Sequence, residues 1–263
     1  MNRVLVRAED VGADGRIRLA DRRAAHIQGV LRGVPGQRLR VGVIDGACGW
    51  GVIECADGDG VVLRWEGDGE IPPPARVDLL LALPRPKVMK RLWAPLASLG
   101  VRSVTLVNAS QVERQYFDTH WLAPAFYTPL LVEGLEQSGD TRLPKVRVCR
   151  QFKPYVEDEL GEPLDGERRW MADPAGEPAW RIFGTPRTGP VRLAVGPEGG
   201  WTAYECDLLA ARGFERMSLG WRTLRSDTAT VAVVSLAQAW LESGAAGAAV
   251  AANSCMTLRS ASS

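Results

Sequence analysis

The sequence has little of what several large function classes require. It holds only two histidines, His26 and His120, far apart in the chain. Zinc sites draw on close sets of His and Cys ligands, so no metal is expected. The five cysteines, Cys48, Cys55, Cys149, Cys206 and Cys255, are odd in number and include no Cys-x-x-Cys pair. Reduced thiols of a cytoplasmic protein are the simplest expectation. No run of eighteen apolar residues occurs, so no membrane span is expected. The opening MNRVLVRAEDVG has no apolar core behind a basic end, and it does not read as a secretory signal. Charge of one sign is missing too. Lys and Arg number 32 against 31 Asp and Glu, for a net charge of +1, which neither demands nor forbids a nucleic-acid partner. Lysine itself is scarce: Lys87, Lys90, Lys145 and Lys153 are the whole set, so positive charge rests on arginine.

What is present is an ordinary globular composition, with 263 residues, 46% hydrophobic and 24% charged. That length suits one large domain or two modest ones. Residues 3–66 alternate polar and apolar side chains at Arg3–Arg7, Arg38–Val43 and Val61–Trp65, as half-buried strands do. Turn clusters at Asp45-Gly46 and Asp57-Gly58-Asp59-Gly60 separate them. Asp21 is placed to cap one helix through Leu31, stopped by Gly33 and Pro35-Gly36. A barrel of about five strands with one helix is expected over residues 1–70. Glu66 to Pro74, with Gly, acid and three prolines, reads as a semi-rigid connector. From residue 76 strands and helices alternate, giving an α/β domain with a mostly parallel sheet over 75–243. Residues 244–263 lose any periodic face, and a weakly ordered tail is expected.

Two segments concentrate the chemistry. The apolar strand Val191–Val195 runs into Gly196-Pro197-Glu198-Gly199-Gly200, followed by Thr202 and Glu205 at capping-box spacing. A glycine turn between strand and helix leaves backbone N–H groups accessible, and in open α/β sheets ligands sit at the carboxyl ends of strands. Alone, such a turn is most often structural. It is neither a Walker loop nor a Gly-x-Gly-x-x-Gly fingerprint, and a phosphate-loop enzyme is disfavoured because no Gly-Lys-Ser/Thr follows. The second segment, Leu219-Gly220-Trp221-Arg222-Thr223-Leu224-Arg225-Ser226-Asp227-Thr228-Ala229, is another glycine turn into another helix.

Together these segments resemble the ribosomal RNA uridine-N3 methyltransferase family of the SPOUT (trefoil-knot) superfamily. That family pairs a Gly-Pro-Glu-Gly-Gly turn with a later Leu-Gly-x-x-x-Leu-Arg-x-x-Thr-Ala element. The resemblance extends to His26-x-x-x-Val30-Leu31-Arg32, to Leu99-Gly100-Val101, and to Glu136-Gln137-Ser138-Gly139 with Leu143-Pro144. Ser98 and Asp140 stand where family members commonly carry glutamate and arginine.

The resemblance implies an α/β, trefoil-knotted SPOUT methyltransferase domain preceded by a small PUA-like β-barrel. It implies S-adenosylmethionine as cofactor, a uridine N3 of 16S ribosomal RNA in the small subunit as target, and a homodimer. Carried over residue by residue, Met171, Ala172, Leu193 and Ala194 would wall the cofactor pocket. Gly196, Pro197, Glu198, Gly199 and Gly200 would form its first loop, and Leu219, Gly220, Leu224, Arg225 and Ser226 its second. Arg225 is the leading candidate to stabilise the deprotonated base, with Arg222 second. Glu198 would accept a proton or fix a loop amide. Arg7, Arg23, Arg32, Arg85, Lys87 and Lys90 are the candidate RNA contacts. The competing readings are a non-catalytic RNA-binding protein that keeps a knotted fold and a methyltransferase acting on another RNA uridine.

Overall fold

The computed structural model describes residues 3–67, 69–182 and 189–260, with side chains of the final helix described as far as residue 244. Of the tail expected over 244–263, residues 245–260 therefore lie outside the described side chains, and 261–263 outside the described residues altogether. The chain divides into two compact units.

The first unit comprises Met1–Ala75, Trp93–Gly100 and Thr128–Pro144. Its strands are β1 (Val4–Val6), β2 (Arg16–Leu19), β3 (Arg38–Val43), β4 (Cys48–Asp57) and β5 (Gly60–Gly67), in the order β1-β3-β4-β5-β2. β1 runs parallel to β3, and the other three ladders are antiparallel. Helix α1 (Arg22–Gly29) is capped as expected, with the Asp21 carboxylate accepting from the Arg23 amide at 2.9 Å. Ile27 of α1 is buried with Val6, Ile17, Val41 and Leu63, the inward side of the strand alternation. β2 and β4 are the two strands whose pattern was not singled out above. β4 carries Gly49 and Gly51, where a Cβ would come within 2.5 Å of the Glu66 carbonyl oxygen and 2.8 Å of Val41. Close packing there selects glycine and erases the alternation that marks a strand. Glu136, 3% exposed, is held by the Arg22 guanidinium at 3.1 and 3.2 Å.

The second unit comprises Arg76–Leu92, Val101–Tyr127 and Lys145–Ser263. In chain order its elements are β6 (Val77–Ala82), α2 (Pro86–Ser98), β7 (Val101–Val107), α3 (Pro124–Ser138), β8 (Lys145–Cys149), α4 (Phe152–Pro154), β9 (Arg168–Pro178), α5 (Ala179–Ile182), β10 (Val191–Val195), α6 (Ala203–Ala210), β11 (Glu215–Ser218) and α7 (Ser226–Ser260). Of α2 and α3, only the opening residues fall within this unit. Six strands form one sheet in the order β11-β9-β10-β6-β7-β8, and every ladder is parallel. All six residues of β6 are buried, as a strand covered on both faces must be. One face packs Leu80, Met171 and Ala194 against Phe152, Tyr155, Cys206 and Leu209. α7 packs on β10 and β6, and Trp240 meets Trp170 edge-on at 5.1 Å between ring centroids.

The β9–β11 ladder is interrupted. Arg216 pairs with Met171, but Met217 pairs with Glu177. The intervening residues of β9 form an excursion from the ladder. Gly176 ends it, where a Cβ would lie 2.6 Å from the backbone of Arg216 and Met217. No helix among the described residues is long and apolar enough to cross a membrane.

Candidate functional site

Because the sheet is parallel, all its strands end on one edge, and both glycine bends lie there. The first bend leaves β10 at Val195. Gly200, at φ +80°, takes a left-handed conformation that suits glycine, and its amide donates to the Pro197 carbonyl at 2.8 Å. The capping box forms as its spacing predicts. The Thr202 amide donates to Glu205 Oε2 at 2.8 Å, and the Glu205 amide donates to Thr202 Oγ1 at 3.3 Å. Glu205 is 1% exposed and also accepts from the Ser110 amide at 2.7 Å, so one buried carboxylate ties the loop after β7 to the start of α6.

The second bend leaves β11 at Ser218. Its Gly220 lies at φ +108°, and the Gly220 amide donates to Ser218 Oγ at 3.1 Å. The two bends meet at Glu198. Its Oε1 accepts from the Ser226 hydroxyl and from the Arg85 amide, each at 3.5 Å. Between the bends lies a cavity of about 380 Å³, within the range of small-molecule sites.

Ten of the expected cofactor residues line this cavity: Ala172, Gly196 to Gly200, Leu219, Gly220, Leu224 and Ser226. Four do not. Met171 and Ala194 are paired across β9 and β10, and both point into the core beneath α6. Leu193 is fully buried two residues before the strand end. The pleat and the depth within the strand thus move these three from pocket wall to sheet core. Arg225, the fourth, is turned to solvent with its side chain 75% exposed and Nε 3.8 Å from Asp227. Arg222 is the arginine that lines the cavity, its guanidinium 4.5 Å from the Trp221 ring.

Residues not named as cofactor contacts from the sequence complete the wall: Asp173, Pro174 and Ala175 of the β9 excursion, with Val195, Trp201, Met217, Thr223 and Ala229, beside Arg222. A signal existed for some of them. Asp173-Pro174 directly follows Met171-Ala172, which the resemblance places in the pocket wall, and a strand end on this edge is where a ligand is met. Trp201 adjoins the first glycine loop.

Among the expected RNA contacts, Arg23 is corrected. Its side chain is 15% exposed and gripped by Asp10 and Asp21, each at 2.8 Å, with the Leu5 carbonyl at 3.0 Å, which makes it an internal tie. Lys90 lies over the Trp121 and Phe126 rings at 4.8 and 5.9 Å. Arg7, Arg32, Arg85 and Lys87 are exposed.

Two features at Trp201 shape the cavity. The Trp201 indole N–H is buried without a partner, and a buried donor of this kind is rare unless something accepts from it. A Cβ at Gly196 would come within 3.2 Å of the Trp201 amide and indole nitrogens, so a bare backbone is needed for the loop to close.

A family model described as RNA methyltransferase domain matches residues 72–238, which include the sheet and both bends. The chain belongs to this family of RNA methyltransferases. It is 32% identical over 176 residues to ribosomal RNA small subunit methyltransferase E of Treponema pallidum, a match covering 62% of this chain and 64% of that protein. The match thus spans less than two thirds of that relative's length. Ribosomal RNA small subunit methyltransferase E 1 of Borreliella burgdorferi is 25% identical over 219 residues, covering 82% of this chain and 89% of its own. In fold, the chain is similar to the crystal structure of ribosomal RNA small subunit methyltransferase E from Neisseria gonorrhoeae bound to S-adenosyl methionine. The TM-score is 0.71 at 20% identity, covering 91% of this chain and 97% of that one.

Proposed function

We propose that the protein methylates N3 of a uridine in small-subunit (16S) ribosomal RNA, with S-adenosylmethionine held between the two glycine bends. The observation that carries this reading is the meeting of the bends at one cavity, tied by Glu198 to Ser226. S-adenosylmethionine supplies an electrophilic methyl group on a sulfonium, so the protein's task is to bind and align the reactants. The loop glycines would bring backbone amides to the adenosine, and the orphaned Trp201 indole N–H would donate to it. Arg222, at the cavity wall, faces the negative charge that spreads over uridine O2 and O4 when the N3 proton leaves. Glu198 Oε2 accepts that proton, while Oε1 stays engaged with Arg85 and Ser226. N3 is hidden in a base pair, so the target uridine is bound unpaired or extruded.

The same reading assigns the second unit to the trefoil-knotted SPOUT class, on the order and spacing of the two bends. It assigns the first to the PUA-like barrels, on five strands with one helix. A cytoplasmic homodimer follows from it, with exposed Trp180, Trp221 and Leu236 as apolar surface for a second subunit to cover.

The test is nucleoside mass spectrometry after incubating the purified protein with S-adenosylmethionine and either free 16S RNA or small subunits. 3-Methyluridine at one position is the expected product. RNA binding without cofactor binding or product would favour the non-catalytic reading instead.

A further inference from the structure

A second cleft opens on the same edge of the sheet, at the ends of β7 and β8, with a volume of about 510 Å³. Three cations reach it, Arg114, Arg150 and Lys153, and it contains one carboxylate, Glu205. That carboxylate is spent: it is buried and already accepts from the Ser110 amide and from the Thr202 amide and hydroxyl. The lining of the cleft therefore sets three cations against one carboxylate, in a protein whose net charge is only +1. Arg150 is held in place, its guanidinium 3.0 Å from both Asp118 and the Phe117 carbonyl. Arg114 has no carboxylate partner among the described residues, and Lys153 has only a loose contact of 3.8 Å to Glu157. Tyr204 adds a ring that is 54% exposed.

The position of this cleft gives the charge a direction. Phe152 lines it, Trp201 lines the first cavity, and the two rings pack together at 5.4 Å between centroids. One aromatic pair is thus the partition between them. A strand of RNA whose target base reached the first cavity would have its neighbouring nucleotides beside this wall.

We propose that the cleft binds the single-stranded RNA flanking the target uridine, with phosphates on Arg114, Arg150 and Lys153 and a base stacked on Tyr204. The proposal rests on the methyltransferase reading above and adds to it a site for the substrate chain. Spaced cations with one aromatic platform match the way single strands are held without reading sequence. A small free phosphate would use the cations and leave the ring idle.

The experiment compares the full-length protein with the R114A/K153A variant and with Tyr204→Ala, all at exposed positions where a smaller side chain leaves the core intact. Labelled oligouridylate binding is measured by fluorescence anisotropy across a salt series, and S-adenosylmethionine binding by calorimetry. R114A/K153A should bind the oligonucleotide about tenfold more weakly, with a salt slope shallower by about 1.4, since each single-strand phosphate contact contributes about 0.7. Tyr204→Ala should lose about tenfold with its salt slope unchanged, the signature of a lost stack. Cofactor affinity should stay at the parent value in both. Parent-like RNA affinity and slope in R114A/K153A, alongside intact cofactor binding, overturns the cleft as an RNA site. So does a loss confined to inorganic phosphate used as competitor. Failure of the parent itself to bind S-adenosylmethionine would instead bring down the methyltransferase reading on which the cleft depends.

Discussion

Arg169 and Glu167 face one another at 2.9 Å with side chains 1% and 0% exposed, the most deeply buried ion pair described in the protein. They belong to a row that crosses the sheet. Arg169 is in register with Arg192, and Arg192 with Asp78. Glu167 accepts from Arg192 at 2.9 Å as well. Burial pushes the Glu167 carboxyl up, but the Leu164 amide and the two guanidiniums outweigh it and hold the group below its ordinary range. Asp78 is lowered in the same way, with burial opposed by Arg102, Ser103 and Arg192.

A group whose native pKa is depressed adds stability that is complete above its unfolded pKa and is lost as pH falls through the native value. Thermal stability should therefore hold steady from neutral pH to about pH 5 and fall steadily below the ordinary carboxylate range of about 4. Glu167→Gln should cost about 3 kcal/mol at pH 7, because it strands a buried guanidinium, and should flatten the acid limb. Melting curves across pH check this. An acid limb as steep in the variant as in the parent would count against the pair as its source.

Glu205 holds three donors from a buried position, so Glu205→Ala leaves the Ser110 and Thr202 amides unpaired. A loss of about 2–3 kcal/mol is expected, against about 1 kcal/mol for Thr202→Ala, which removes only the cap. Chemical denaturation of both variants gives the comparison. Equal losses would mean that the bond to Ser110 adds nothing.

Gly220 sits where an L side chain is strained by about 1–2 kcal/mol. Gly220→Ala should weaken S-adenosylmethionine binding by about tenfold while lowering Tm by only a few degrees. Calorimetry with unchanged cofactor affinity would detach the second bend from the pocket.

The two arginines of that bend should separate kinetically. Arg222→Ala should reduce kcat by about 10²–10³ with cofactor affinity unchanged, as removal of an oxyanion donor does. Arg225→Ala, at a solvent-facing side chain, should spare kcat and act on the RNA KM. A reversed pattern would give the catalytic role to Arg225.

The legible part of this protein was backbone-driven. Apolar runs such as Val77–Ala82 and turns such as Gly196–Gly200 announce themselves, because strand burial and positive φ constrain residue type directly. The side-chain direction of Met171, Ala194 and Arg225 was not legible, since it depends on the pleat and on where along a strand the ligand sits. Arg23 misled for a related reason. Nothing local says that Asp10 closes on it. The excursion in β9 was hidden because its departure from the ladder depends on what β11 pairs with, which no local residue pattern shows.

That excursion separates two jobs within one strand. Residues up to Ala172 lock into the neighbouring strands, and pairing resumes at Glu177, so Asp173–Ala175 border the cavity without carrying the ladder. Insertions or substitutions there can remodel the floor under the ligand while the strand register on either side stays put. A segment of that kind gives evolution, or an engineer, a place to alter what the pocket accepts without unpicking the sheet that builds it.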